Sequence, residues 1–303
     1  MSCTAPETYY MRDPELFSGV RGLTKDPRKA LSSRTLTVAC GKCMECRLAL
    51  AHEWALRAMH EASMHDSSLF VTLTYDDEHL PVNHSLDYKD FQLFMHRLRK
   101  RVPGAGRFLM CGEYGEENGR PHYHAILFGC MFSDKLLIRD TPKGPLYSSE
   151  KLSGIWGLGH VSFGDVTLDS AGYVARYTTK KITGPASGAA YQYLMPSGDV
   201  VDRRPPFLES SNRPGIGATW LERYFDDVFP CDFMVMGGKK FPVPRYYTKL
   251  LERWDPELFD HIKRLRRAKA RDMDSHPDNT SRRLRDRNEV GILKAAAFRR
   301  NAV

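Results

Sequence analysis

Two apolar segments on either side of an Asn-Gly pair most constrain the fold of this chain. Residues 107–115 read RFLMCGEYG, residues 120–129 read RPHYHAILFG, and Asn118-Gly119 lies between them. Strand-forming segments joined by Asn-Gly predict a β-hairpin, because both residues tolerate the positive φ that a tight turn requires. We therefore expect an antiparallel strand pair at this point of the chain.

The hairpin brings three side chains of ligand type together. His122 and His124 are two residues apart, so both project from the same face of their strand. In a hairpin that turns at Glu117 and Asn118, Glu113 lies about opposite His122, on that face and roughly 5 Å away. Two imidazoles and one carboxylate suit Mg²⁺ or Mn²⁺ and leave positions open for phosphate oxygens. The plain alternative is a pair of surface histidines on an edge strand.

Periodicity predicts further elements on both sides of the hairpin. Apolar residues recur at helical spacing over 45–64, 88–102 and 170–182. Alternating β-branched and aromatic residues predict strands at 67–77 and 160–166. Residues 1–39 are expected to be irregular, because glycines and Asp-Pro pairs interrupt them. Residues 131–160 are expected to be a mixed connection.

The helix predicted over 170–182 carries two tyrosines. Tyr173, Tyr177 and Lys180 occur at i, i+4 and i+7, so they fall on one helical stripe. Tyrosine has a pKa of about 10 and is a weak nucleophile at neutral pH, but a nearby ammonium group favours the phenolate. The pattern therefore predicts tyrosine attack on a phosphodiester, assisted by Lys180. The plain alternative is a helix with two core tyrosines.

Three cysteines are clustered just before the first predicted helix. Cys40, Cys43 and Cys46 form C-x-x-C-x-x-C, and a structural zinc ion usually has four ligands. We expect Cys3 to be the fourth ligand, with His52 as the alternative. An iron–sulfur cluster and free reduced thiols are also compatible with the spacing.

The net charge is concentrated at the C-terminal end. Residues 261–303 hold 13 of the 45 Lys and Arg but 5 of the 37 Asp and Glu, so they carry the whole net charge of +8. A basic extension attracts a phosphate backbone, and we expect nucleic-acid contact rather than a tail that only aids solubility. The candidate DNA-binding residues are Lys181, Arg264, Arg266 and Arg267.

The sequence also bears on location and organisation. The apolar runs are all shorter than the about 20 residues of a membrane span, and the first residues, MSCTAPETYY, lack the apolar stretch of a signal peptide. We expect a cytosolic protein with no membrane partner. We divide the chain into a cysteine-containing segment and helix (1–66), a core with insertions (67–260) and a basic extension (261–303).

Several motifs resemble the HUH endonucleases of rolling-circle replication. These are His122-Tyr123-His124, YVARYTTKK at 173–181, and FVTLTY at 70–75, which is similar to the strand motif that usually precedes the histidines. CGKCMECR at 40–47 and PVPRYY at 242–247 resemble the gokushovirus-type replication initiators of microviruses, which are small single-stranded DNA phages. Initiators of this kind also tend to begin with a cysteine such as Cys3. The resemblance covers roughly residues 1–260.

The resemblance implies a fold and a function. The fold is α+β, with a central antiparallel five-stranded sheet flanked by helices and the histidines on a central strand. The implied activity is to nick the origin of circular phage DNA, to stay covalently attached to the 5′ end, and later to transfer and join strands in the host bacterial cytoplasm. The chain lacks G-x-x-x-x-G-K-[ST], so we expect a host helicase and the host replication machinery as partners.

Two other functions remain open from the sequence. An HUH relaxase or transposase would use the same chemistry in another context. A zinc-stabilised DNA-binding protein without catalysis would explain the cysteines and the basic extension, but it leaves the H-x-H pair and the tyrosines without a role.

Overall fold

A computed structural model describes residues 3–20, 22–115, 118–142, 144–180, 187–195, 197–274 and 276–300 of the chain. The side chains of 176–180, 187, 272–274 and 295–300 lie outside this description. The chain divides into two compact units, Leu50–Phe259 and the combination of Met1–Ala49 with Asp260–Val303.

The elements are numbered along the chain. The strands are β1 (Glu7–Arg12), β2 (Leu23–Thr24), β3 (Ala30–Val38), β4 (Ser68–Tyr75), β5 (Arg107–Tyr114), β6 (Pro121–Phe128), β7 (Leu136–Thr141), β8 (Gly144–Ser148), β9 (Gly159–Asp165), β10 (Gln192–Leu194), β11 (Val200–Asp202), β12 (Phe207–Ser210), β13 (Phe233–Met236) and β14 (Lys239–Pro242). The helices are α1 (Met44–Ala62), α2 (Tyr88–Arg101), α3 (Glu150–Trp156), α4 (Leu168–Lys180), α5 (Ser187–Ala190), α6 (Ala218–Arg223), α7 (Phe225–Val228), α8 (Arg245–Trp254), α9 (Pro256–Asp274) and α10 (Ser281–Arg300).

The larger unit is built on one antiparallel sheet. Its strand order, over the described residues, is β12-β5-β6-β4-β9-β8-β7. The hairpin of β5 and β6 pairs Glu113 with His122, which is the pairing that the sequence predicts. Strand β4, which carries FVTLTY, pairs with β6 on one side and with β9 on the other. The histidine strand is therefore central in the sheet.

Alternation along the strands gives the sheet two apolar faces. One face packs against α2 and α3 through a core that includes Leu73, Phe94, Tyr123 and Trp156. The other face packs against α1 and α4, where Ala58 and Val174 contact Ile126 and its neighbours. A sheet covered by helices on both faces excludes water from most of its side chains, and this gives the central strands a rigid environment.

The smaller unit contains the N-terminal strands and the C-terminal helices. Strands β2, β1 and β3 form an antiparallel sheet, and β1 pairs with β3 from Glu7 opposite Val38 to Arg12 opposite Ala30. Thr4 donates a hydrogen bond from Oγ1 to Oδ1 of Asn288 on α10, at 2.9 Å. This bond joins the N-terminal segment to the C-terminal helix within the unit.

The predicted class, α+β with an antiparallel sheet flanked by helices, is confirmed, but the sheet has seven strands among the described residues instead of five. Strands β7 and β8 form a hairpin where we expected a mixed connection. The side chains of Leu136, Leu137 and Ile138 in β7 are all exposed. Without alternating burial, such a strand has no period of two in its sequence pattern.

The expectation of an irregular segment over residues 1–39 was wrong. Strands β1, β2 and β3 lie there. Most residues of β3 are exposed, so the sequence shows little apolar alternation, and the Asp-Pro pairs fall between the strands. Within the described residues, no helix has the length and apolar character needed to cross a membrane.

Candidate functional site

Three candidate ligands meet on one face of the central sheet. Glu113 lies on β5, and His122 and His124 lie on β6, two residues apart. Glu113 Oε1 lies 3.4 Å from His122 Nε2 and 3.4 Å from His124 Nε2. One ligand atom of each of the three residues can be chosen so that all lie within 4.8 Å of one another. The strand pairing thus brings the residues together as the sequence predicts.

The far nitrogen of each imidazole is held by a neighbour. His122 Nδ1 lies 3.1 Å from the carbonyl oxygen of Arg120, and His124 Nδ1 lies 2.9 Å from Thr72 Oγ1. A carbonyl oxygen only accepts, so neutral His122 carries its proton on Nδ1 and its lone pair on Nε2. Metal-binding histidines usually have such a partner, which orients the ring and raises its basicity.

The donor set fits a divalent cation. Neutral His122 directs the lone pair of Nε2 at the Glu113 carboxylate oxygen, and the Nε2 of His124 lies at the same distance from that oxygen. Glu113 and His124 are 5% and 8% exposed, so their interactions are only weakly screened by water. A cation among these atoms would turn the contact of electron-rich groups into three favourable ligand bonds.

Tyr173 lies at the edge of this group. Its hydroxyl donates a hydrogen bond to Glu113 Oε1 at 3.0 Å. Its ring stands edge-on to the His124 ring, with centroids 4.9 Å apart. The buried residues Ala171, Val174 and Ala175 fix the inner face of α4, whereas Tyr173 is 37% exposed. The phenol therefore adjoins both the candidate ligands and solvent.

Several predicted site residues lie outside the described side chains. Tyr177 and Lys180 belong to α4, whose backbone places Tyr177 one turn beyond Tyr173, about 6 Å along the axis. The structure does not describe Lys181, nor Glu116 and Glu117 of the hairpin turn.

The basic residues proposed to bind DNA have a different setting. Arg264, Arg266 and Arg267 lie on α9 in the smaller unit and are exposed.

The smaller unit holds the cysteine cluster. The structure brings Cys3, rather than His52, to Cys40, Cys43 and Cys46, and all four sulfurs lie within 4.8 Å of one another. Cys3 Sγ lies 3.7 Å from Cys40 Sγ and 3.9 Å from Cys43 Sγ. Sulfurs around a tetrahedral zinc ion, each about 2.3 Å from it, lie about 3.8 Å apart. The spacing therefore matches a zinc centre.

The backbone around the cluster also favours thiolates. Backbone N–H groups of Cys40 and Cys43 donate to the sulfurs of Cys3 and Cys40 at 3.3 and 3.2 Å. Burial raises the pKa of the Cys43 thiol, but hydrogen bonds from Thr4 and Cys46 outweigh it and bring the pKa to about 6. The thiolate is the form that binds a metal.

Thr72 contributes to the site and was missed from the sequence. It lies on β4 directly opposite His124. The motif FVTLTY marked the strand, but the pairing of β4 with β6 joins residues that are 52 positions apart. Only the assembled sheet shows which hydroxyl meets which imidazole.

Comparisons with known proteins agree on one family. Residues 68–182, which include the three candidate ligands and both tyrosines, match the family model for replication-associated proteins of the ORF2 type. Replication-associated protein VP4 of Bdellovibrio phage phiMH2K is 35% identical over 252 residues, which cover 79% of this chain and 76% of the relative. Replication-associated protein ORF2 of Spiroplasma virus 4 is 33% identical over 78% of this chain and 74% of the relative.

A third relative matches over a smaller share of its own length. Replication-associated protein ORF4 of Chlamydia phage 1 is 30% identical over 71% of this chain, but the match spans 53% of the relative. No solved structure gave a significant match to the chain.

Proposed function

Because this chain belongs to the family of phage replication-associated proteins, we propose that it initiates replication by cutting one strand of phage DNA with a tyrosine nucleophile. The observation that carries the proposal is the position of Tyr173. Its hydroxyl lies 3.0 Å from Glu113 Oε1, beside two histidines that complete a cation-binding set. This arrangement suits phosphoryl transfer at a site reached by single-stranded DNA.

The cutting step exchanges one phosphodiester bond for another. Tyr173 Oη attacks the phosphorus, the bond from phosphorus to the 3′ oxygen breaks, and the 5′ end stays linked to the protein as a phosphotyrosine. The phenol loses one proton and the departing 3′ oxygen takes one up, so the step needs no external energy source. Mg²⁺ or Mn²⁺ bound by Glu113, His122 and His124 would neutralise charge on the scissile phosphate.

A second tyrosine allows a second cut while the first link is intact. Tyr177 lies one turn beyond Tyr173 on the same stripe of α4. Attack by the free 3′ hydroxyl on the phosphotyrosine then rejoins the strand and releases the tyrosine. Lys180 follows at i+7, where its charge would favour the phenolate. If so, Lys180→Ala slows cleavage more than it weakens DNA binding, and equal losses in both would contradict this role.

The test is a covalent adduct. Single-stranded oligonucleotides that tile the replication origin are incubated with the protein and Mn²⁺, and the products are separated under denaturing conditions. We expect a protein–DNA adduct with wild type and with the control Tyr10→Phe, whose tyrosine lies in the smaller unit. Glu113→Gln should give none.

The tyrosine variants decide between the nucleophiles. We expect Tyr173→Phe to lose the first cut and Tyr177→Phe to retain it, because Tyr173 contacts the candidate ligand. If wild type forms no adduct with any divalent metal, the endonuclease proposal is wrong. An adduct that persists in the double variant Tyr173→Phe/Tyr177→Phe leaves cleavage intact and refutes the assignment of the nucleophile.

We also propose that Cys3, Cys40, Cys43 and Cys46 bind one structural zinc ion. Such an ion would tie the start of the chain to the start of α1 within the smaller unit. Cobalt substitution should give the visible absorption band of a tetrahedral thiolate site, and Cys43→Ser should lose both the band and the bound zinc. Cys231→Ser, at an exposed cysteine outside the cluster, is the matched control. Wild-type protein that binds neither metal would disprove the zinc site.

The partners follow from the proposed reaction. The DNA is the single-stranded or replicative-form origin of a phage genome inside the host cell, and a host helicase separates the strands ahead of replication. Arg264, Arg266 and Arg267 on α9 would contact the phosphate backbone.

A further inference from the structure

The sheet face that carries the candidate ligands continues as a polar surface onto β4 and β9. Thr74 lies directly opposite His122 on one side and His160 on the other. In the next row, Thr72 lies between His124 and Ser162. Residues directly opposite each other in antiparallel strands point to the same face, so His160 and Ser162 share the face of the two histidines.

This surface opens into a cleft beside β9. Strand β8 pairs with β9 at Tyr147 and Phe163, and beyond that point the two strands separate. The space between them is a cleft of about 480 Å³, and its polar lining is Thr72, Thr74, Ser148, Ser153, His160 and Ser162. The volume is large enough for part of a nucleotide.

The chemistry of the lining suits a phosphate. Its hydroxyl groups and the imidazole can all donate hydrogen bonds, and none of the residues that line the cleft is acidic. His160 is exposed, so its ring is accessible to a ligand. Hydrogen bonds from such donors to an ionised phosphate are roughly twice as strong as those between neutral groups.

The distance to the candidate ligands defines which phosphate would bind. Two strand spacings separate His160 from His122, about 10 Å in total. A strand whose scissile phosphate lies at Glu113, His122 and His124 would therefore place a neighbouring nucleotide over Thr74 and in the cleft. The continuous row of polar side chains gives the strand a path between the two positions.

We propose that this cleft is a second DNA subsite, in which His160, Thr74 and Ser162 bind the phosphate of a nucleotide next to the cut. The subsite deepens the proposed function and rests on it for the identity of the ligand. Its role is to hold the strand in register while Tyr173 reacts, so its loss weakens binding of the substrate without removing the nucleophile.

The test measures binding apart from cleavage. Fluorescent oligo(dT) is titrated into the protein in EDTA, at a salt concentration high enough to suppress contacts with the basic extension. We expect His160→Ala to bind about tenfold more weakly, as the loss of one charge-assisted hydrogen bond predicts. His160→Gln, which keeps a donor, should recover part of the affinity. His96→Ala is the matched control, at an exposed histidine on α2.

A crosslink locates the contact. Oligo(dT) containing 4-thiothymidine is irradiated with wild type, and the crosslinked peptide is identified by mass spectrometry. We expect the peptide that contains residues 159–162. Unchanged oligo(dT) affinity in His160→Ala, or crosslinks that avoid β9, would overturn the subsite.

The two proposals fail separately. The double variant Glu113→Gln/His160→Ala must still bind oligo(dT) more weakly than Glu113→Gln alone, although neither variant should cut DNA. If wild type forms the covalent adduct but His160→Ala binds oligo(dT) like wild type, the subsite is wrong and the endonuclease stands. If no adduct forms but the affinity difference is present, the cleft binds DNA and the cutting reaction is refuted.

Discussion

Replacing Thr72 by valine removes one hydrogen bond beside the candidate ligands and changes little else. Valine has the shape of threonine and is favoured in strands, so β4 should keep its place between β6 and β9. The substitution leaves His124 Nδ1 without the hydroxyl that lies 2.9 Å away. A change in metal affinity would then report the orienting role of Thr72.

The size of the effect follows from what else holds the imidazole. Loss of a residue that orients a metal ligand typically costs about 10–100-fold in metal affinity. The His124 ring also stacks on Phe70, at 5.7 Å between centroids, and meets the edge of Tyr173 at 4.9 Å. These contacts keep much of the ring orientation, so we expect the lower end, about tenfold or roughly 1.4 kcal/mol.

The assay is a Mn²⁺ titration in which the signal of free Mn²⁺ is followed by electron paramagnetic resonance. Thr74→Val is the matched control, because Thr74 lies on the same strand and face but opposite His122. His122 Nδ1 is held by the Arg120 carbonyl oxygen, which this substitution leaves in place. Unchanged Mn²⁺ affinity in Thr72→Val, or an equal loss in Thr74→Val, would refute the orienting role.

Three further predictions test the packing and the charges. Glu61→Ala leaves Arg107 without its buried partner and should cost about 3 kcal/mol in chemical denaturation, whereas the control Glu53→Ala removes a mostly exposed pair with Arg245 and should cost under about 1 kcal/mol. Burial raises the pKa of Glu61, but the hydrogen bonds from Arg107 and the Gly217 backbone outweigh it and hold the pKa below its usual value, so this stabilisation disappears as the pH falls below about 4. Burial also lowers the pKa of His60 to about 4. The folded state thus binds fewer protons than the unfolded chain, and stability should fall by up to about 3 kcal/mol between pH of about 6.5 and 4; a wild-type slope retained in His60→Phe would contradict this. Replacing Arg264, Arg266 and Arg267 by serine should lower the salt dependence of single-stranded DNA binding by about 2 in the slope of log K against log salt, and an unchanged slope would exclude them as phosphate contacts.

The candidate metal site shows how far local rules reach. The Asn-Gly turn sets the register of β5 against β6, and the register alone puts Glu113 opposite His122. The period of two then places His124 on the same face. These statements need only the geometry of one hairpin, and the assembled fold did not alter them. In the same way, the period of the helix determined that Tyr173 and Tyr177 share a stripe of α4.

The residues that meet across long sequence separations could not be read in this way. The sequence indicated that 67–77 forms a strand, but not that β4 lies between β6 and β9, and so neither Thr72 nor His160 could be assigned to the site. The exposed strands β1, β3 and β7 lack apolar alternation, because neither of their faces is fully buried. Periodicity detects burial, and it therefore misses strands that hydrogen bonding alone defines.

The sequence by itself determined the chemistry of this protein, since the types and local spacing of Glu113, His122, His124, Tyr173 and the cysteines follow from turn and helix geometry. Tertiary structure decided which of these groups meet. Packing of α4 on the sheet carries the Tyr173 hydroxyl to Glu113, and the fold of the smaller unit brings Cys3, not His52, to the other sulfurs. Those contacts depend on how distant segments pack around a common core, and packing is a property of the whole chain rather than of any segment.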